Sequence, residues 1–385
     1  MKRISLIAIM ALMGIGSVAA KSSTTLPIVG EVVKATNPLI QYVGRVSFAK
    51  NETASFNFPG TSIFARFQGS SLKMICRPMT GYFMAQVDGC EPFKVGFNAE
   101  RDSVVTVAAA LPKGEHQVKL MYVIEGLFRT PEFRGFVLDK GCSLVKSPDL
   151  PERKIEFIGN SITCGYGVES IEMTDPFEDE TENHWLTYAN IVSDSLNAQH
   201  TSISRSGIGV YRNYDGPKAG SAENMPWQYE YTLFNKHDEK WDFNKYQPQL
   251  VCINLGTNDL STNNYDITLY EKNYRMFLTT VRSKYPNAKI VLITGPMLGE
   301  KESGEQREVL DRICSDANKK GFTLPDEVRK ARKGKNKGDK DIYRFDFTFQ
   351  TGDLGYGASW HPSKLQHQKM ADELLPFLRN LMGWE

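Results

Sequence analysis

Four residues of this chain could together carry out acyl transfer: Ser161, Gly207, Asn258 and His361. A serine hydroxyl attacks an acyl carbon when a histidine takes its proton, assistance worth about 10²–10⁴ in rate. The oxyanion formed in that step needs preorganised donors, each worth roughly 10²–10³. The backbone N–H groups of Ser161 and Gly207 and the side-chain amide of Asn258 are the candidates. Taken singly, each residue has an ordinary structural reading: Ser161 and Asn258 as caps, Gly207 as a turn, His361 as a helix-start residue. Placement favours chemistry, because all four follow strand-like runs and come in the order Ser, Gly, Asn, His.

The elements that must position them can be read locally. In Lys154–Gly167 the apolar residues Ile155, Phe157 and Ile158 form a short buried strand that Gly159 breaks, leaving Ser161 in the turn beyond it. The segment is not a Gly-x-Ser-x-Gly elbow, since Thr163 holds the fifth position. Gly207 lies in a loop after Thr201–Ile203, where a glycine lets an N–H face a cleft without steric cost. Asn254–Asp259 closes the strand at Val251 and carries Asn258, and Ala358–Pro362 sets His361 just before the last helix.

From Lys154 onward, strands alternate with helices. Strands are expected at Ile155–Ile158, Gln249–Leu255, Lys289–Thr294 and Ile342–Phe347. Helices are expected at Leu186–Leu196, Thr268–Lys284, Glu305–Lys320 and Lys364–Leu381. Leu269, Met276, Phe277 and Thr280 share one face of the second helix, Gly321 stops the third, and Pro376 should kink the last. This is an α/β pattern: a mostly parallel sheet with helices on both faces, and reactive groups at the carboxyl ends of its strands. Residues 26–145 instead show short β-rich runs divided by turns such as Asp88-Gly89 and Pro112-Lys113-Gly114. They indicate an antiparallel β-sandwich of the jelly-roll kind. Residues 146–153, with two prolines, form the linker, and residues 154–385 the second domain.

A chain of 385 residues can bury two such cores, and a net charge of +1 gives no reason to expect nucleic acid or an anionic membrane as partner. Lys2 and Arg3, the apolar run Ile4–Val18 and the small residues Val18-Ala19-Ala20 read as a signal peptide, residues 1–20. The run is short for a membrane span, so a secreted or periplasmic protein is expected. The six cysteines form no Cys-x-x-Cys, Cys252 reads as a buried thiol, and the histidines do not cluster with cysteines. No metal or cofactor is expected, and a monomer is. The basic run Arg329–Lys340 reads as a solvated loop, with a site for an acidic glycan as the sharper alternative.

The blocks Gly-Asn-Ser-Ile-Thr at 159–163, Gly207, Gly-Thr-Asn-Asp at 256–259 and Trp-His-Pro at 360–362 resemble the SGNH (GDSL-type) hydrolases. The longer stretches Ile158–Gly167, Ser206–Asn213, Trp241-Asp-Phe and Asn254–Leu260 look like carbohydrate esterase family 2, which also places a β-sandwich before a three-layer hydrolase domain. The resemblance implies removal of acetyl groups from plant polysaccharides such as xylan and glucomannan, with an acetylated polysaccharide or oligosaccharide as partner. It makes Ser161 the nucleophile, His361 the base, and Gly207 and Asn258 the oxyanion donors. One departure matters: the acid that many relatives place two or three residues before the histidine is here Ser359 or Ala358. Losing such an acid costs about 10⁴ in serine proteases. A Ser161–His361 dyad oriented by a main-chain carbonyl near Ser359 or Trp360 is therefore expected, with Asp353 as a remote alternative. Trp360, Tyr211 and Trp227 are expected to shape the sugar site. Two other readings are a lipase or thioesterase of the same group and a glycan-binding protein whose catalysis has decayed.

Overall fold

The structure, a computed structural model, describes residues 28–50, 52–101, 103–127, 129, 131–262, 264–321 and 339–385. The expected signal peptide and residues 329–338 of the basic run lie outside them. The first part of the chain folds into two antiparallel sheets. One runs Glu31–Lys34, Glu132–Leu138, Leu72–Cys76, Ser103–Ala108 in spatial order, with Ala54–Ser55 also paired to Glu132–Leu138. The other runs Leu144–Val145, Ser62–Gly69, Gly114–Tyr122, Gly81–Val87, Phe93–Phe97, with Gln41–Val43 beside Ser62–Gly69. Alternate residues of each strand point inward, so Ile63, Ala65, Phe67, Val118 and Leu120 meet Leu72, Met74, Phe136 and Leu138 in one core. Asp88 (φ 50°) and Gly89 (φ 71°) both take the left-handed conformation that a tight hairpin demands.

The second part builds a five-stranded, wholly parallel sheet in the order Ala198–Ser204, Arg153–Gly159, Leu250–Ile253, Lys289–Thr294, Ile342–Asp346. Numbered along the chain this is 2-1-3-4-5, which leaves a crevice between the first and third strands where the order reverses. Val251, Ile253, Ile290 and Leu292 face the helices Ile267–Lys284 and Glu300–Lys320. Leu250, Cys252, Val291 and Ile293 face Tyr188–Ser195 and Lys364–Met382. A sheet covered on both sides explains why its strands are apolar throughout.

Several details differ from expectation. Helix Glu300–Lys320 starts five residues early, because its first turn is charged (Glu300, Glu302) and shows no apolar period, although acids suit a helix N-terminus. Helix Ile267–Lys284 buries Tyr270, Tyr274, Phe277, Leu278 and Val281, while Met276 is 60% exposed. Tyrosines, not Met276, carry the inward stripe. Helix Lys364–Met382 continues through Pro376 as one element. None of the six cysteines, all among the described residues, forms a disulfide.

The two halves meet over a polar seam. Arg45 of the sandwich is buried, donates to the Tyr229 and Tyr231 carbonyls (2.5 and 2.7 Å), and lies over the rings of Phe58, Tyr229, Trp241 and Phe243. A guanidinium is weakly hydrated and stacks well on aromatic faces, so it tolerates this site.

Candidate active site

Strand Arg153–Gly159 delivers the chain directly into the helical turn Ser161–Cys164, capped by Asn160, whose side chain accepts the Ile162 N–H. Ser161 therefore stands at the first position of a helix, where backbone N–H groups lack intrahelical partners. Ser161 Oγ lies 2.8 Å from His361 Nε2, across 200 residues of sequence. Ala358 N–H donates to the Gly167 carbonyl (3.0 Å), docking the histidine loop on the turn that carries the serine.

The other ring nitrogen, His361 Nδ1, faces the carbonyls of Ala358 (3.0 Å) and Ser359 (3.2 Å). Carbonyls only accept, so Nδ1 holds the proton and Nε2 presents a lone pair to the serine hydroxyl. Ser359 (φ 49°) and Trp360 (φ 59°) are both left-handed, a conformation costing about 1–3 kcal/mol for each non-glycine residue. That strained turn aims the carbonyls. The Trp360 carbonyl instead accepts from Gln350 Nε2 (2.8 Å), so the orienting groups are those of Ala358 and Ser359. Asp353 is exposed and accepts from Thr351, away from the imidazole. Burial lowers His361 to a pKa of about 4, against the opposing pull of the two carbonyls. Tyr166 stacks on the ring at 4.1 Å, where its π face can steady an imidazolium.

Gly207 and Asn258 line the same cleft, a cavity of about 470 Å³ shared with Ser161, Tyr166, Tyr214 and Met297. Gly207 has φ 73°, and a Cβ there would meet nothing closer than 4.0 Å, so conformation rather than space requires glycine. Among the described residues its N–H donates to no protein group, while its carbonyl accepts from Tyr214 N–H (2.8 Å). Asn258 Nδ2 donates to the Ile208 carbonyl (2.8 Å), tying that amide to the Gly207 loop. The neighbouring Asp259 carboxylate accepts the N–H groups of Val210, Tyr211 and Arg212 at 3.0, 2.8 and 3.1 Å. Its burial raises it to a pKa of about 6, against the pull of those donors.

The three aromatics expected at the sugar site lie in different surroundings. Trp360, next to His361 in sequence, is 52% exposed and does not line the cleft cavity. Tyr211 is 1% exposed and its hydroxyl accepts Asp266 N–H (2.8 Å), so it belongs to the core. Trp227 packs on His237 and Tyr231 and does not line the cleft. Tyr214, three residues beyond Tyr211, lines the cleft with Tyr166 and is 61% exposed, and no periodicity in that loop marks it.

A serine, a neutral imidazole with a fixed tautomer and unpaired N–H groups at the switch point of a parallel sheet define a carboxylic-ester hydrolase with a GDSL-type domain. Comparison with known proteins narrows this. Residues 42–148 match the carbohydrate esterase 2 N-terminal family and residues 155–374 the GDSL-like lipase/acylhydrolase family. A solved family two carbohydrate esterase from Clostridium thermocellum, in complex with cellohexaose, superposes with a TM-score of 0.79 at 34% identity, covering 90% of this chain and 100% of that one. The cellulase/esterase CelE of Acetivibrio thermocellus is 34% identical over 90% of this chain, which spans 40% of that protein's length. An acetylxylan esterase / glucomannan deacetylase of Cellvibrio japonicus is 27% identical over 91% of both chains. The chain belongs to carbohydrate esterase family 2. Among the described residues no helix is long and apolar enough to cross a membrane.

Proposed function

We propose that this protein is a secreted carbohydrate O-acetylesterase, releasing acetate from acetylated plant polysaccharide such as xylan or glucomannan. Ser161 attacks the acetyl carbon while His361 Nε2 takes its proton, and the same imidazole then protonates the departing sugar oxygen. The oxyanion is met by the N–H groups of Ser161 and Gly207 and the amide of Asn258. Water, deprotonated by His361, then frees acetate and restores the serine. The 2.8 Å contact between Ser161 Oγ and His361 Nε2 carries this reading. Tyr214 and Trp360 offer exposed rings on which a pyranose can stack, in place of Tyr211 and Trp227. Export rests on the N-terminal sequence, and a monomer is sufficient because one chain supplies every group named.

Acetate release from acetylated xylan and glucomannan tests the reading. Ser161→Ala and His361→Ala should each lower it by at least about 10³-fold. Polysaccharide binding without acetate release, unchanged in Ser161→Ala, would leave a glycan-binding protein instead. Preference for long-chain nitrophenyl esters over acetate would favour a lipase.

A further inference from the structure

Two carboxyl groups are buried behind the cleft and have no part in the chemistry above. Glu125 follows the sandwich strand Gly114–Tyr122 and is 3% exposed; Glu182, ahead of the turn His184–Leu186, is fully buried. One oxygen of Glu182 accepts the Glu125 N–H (2.9 Å), and one oxygen of Glu125 accepts the Ser206 N–H (2.7 Å). Ser206 immediately precedes Gly207. Carboxylate oxygens of both glutamates and the Cys164 thiol lie within 4.8 Å of one another, and the second Glu182 oxygen has no protein partner among the described residues.

Two ionised carboxylates this close in a dry site repel strongly, so only one carries charge. Burial raises Glu125 too, but its hydrogen bonds with Ser206 and the field of Arg205 oppose that, so it is the one better placed to keep the charge. Glu182 is kept protonated by burial first, then by Glu125 and Asp179, with Lys94 opposing. Asp179 is itself paired with Arg129, and burial keeps the Cys164 thiol neutral.

We propose that Glu125 is a positioning residue for the oxyanion loop, gripping Ser206 N–H from the β-sandwich side, with Glu182 holding Glu125 in place by accepting its backbone N–H. This rests on the esterase reading. The loop is then anchored at both ends, Ser206 by Glu125 and Val210–Arg212 by Asp259, with Gly207 between. The β-sandwich thereby contributes directly to turnover.

The test uses the full chain and 4-nitrophenyl acetate. Glu125→Ala should lower kcat roughly ten- to a hundred-fold with KM little changed, since a displaced donor acts on the transition state. Glu125→Gln, which keeps an acceptor oxygen, should retain more of the rate. Glu182→Gln, which keeps an oxygen to accept the Glu125 N–H, should recover what Glu182→Ala loses. Full kcat in folded Glu125→Ala, or a stoichiometric divalent metal in the purified protein, would each overturn the proposal. If Glu125→Ala does not fold, amide exchange at Ser206 in Glu125→Gln decides. An inactive parent protein would count against the esterase reading alone. Amide exchange at Ser206 then decides: faster in Glu125→Gln than in the parent supports the grip, and unchanged exchange overturns it.

Discussion

An imidazole backed by two neutral carbonyls has a different acid limit from one backed by a carboxylate. The Ala358 and Ser359 carbonyls fix the tautomer but stabilise imidazolium less than an anion would, and burial further disfavours the charged ring. His361 thus stays neutral well below the ordinary histidine range, with a pKa of about 4. As the proposed base it is competent only when neutral, so kcat/KM should hold from pH 7 to about pH 5 and fall only as pH approaches 4. A profile with its acid limb centred near 6.5 would contradict this. Asp353→Asn should leave both kcat and that limb unchanged, because Asp353 spends its oxygen on Thr351. Loss of turnover in that variant would make Asp353 the missing acid after all.

The proposed oxyanion loop has no regular secondary structure, and its order comes from side chains outside it. Asp259 Oδ1 accepts two N–H groups and Oδ2 a third, all from the segment just after Gly207. In Asp259→Asn one of these donors would face an amide NH₂ instead of an oxygen. An unsatisfied buried donor costs about 1–3 kcal/mol, so thermal stability should drop, and kcat should fall about ten-fold or more with KM nearly constant. Wild-type kcat in the folded variant would show that Gly207 needs no such clamp. The same division explains what the sequence made legible. Strands of a sheet buried on both faces are continuous apolar runs, and Ser161, Gly207, Asn258 and His361 follow strands or precede a helix, so their convergence could be inferred. Tyr214 could not, since in a loop only the path of the backbone decides that Tyr211 turns inward to Asp266 and Tyr214 outward. Nor could Glu125, whose partners Ser206 and Glu182 lie 81 and 57 residues away across the domain seam.

At the scale of the whole molecule, that seam also contains a pair of histidines that must stay uncharged. Gly60 of the sandwich lies so close that a Cβ there would be 2.8 Å from His184 Nε2 and 3.2 Å from His200 Nε2. His184 N–H donates to the Val123 carbonyl (2.9 Å), and its Nδ1 donates to the carbonyl of Thr163 (2.8 Å) in the turn that carries the serine. His184 Nε2 must then accept from His200 Nε2, 3.0 Å away, and a proton added to the His184 ring would set two donors face to face. Burial lowers His184 to a pKa of about 4 and holds His200 well below its ordinary value, with His184 and then Lys119 adding to the second. The unfolded rings take up protons below about 6.5 and the folded ones do not, so this contribution is full above 6.5 and is lost as pH falls toward 4. Glu125, Glu156, Glu182 and Asp259, all raised by burial, act in the opposite sense over part of the same range. The informative measurement is therefore a difference between proteins. His184→Asn keeps a donor for Thr163 and cannot titrate, so it should be less stable than the parent at pH 7 yet lose less on going to pH 5. One histidine with this shift accounts for about 2 kcal/mol between those two pH values. Urea midpoints of parent and variant at pH 7 and pH 5 give the comparison, and equal losses in the two proteins would mean that the His184 ring already binds its proton in the folded state.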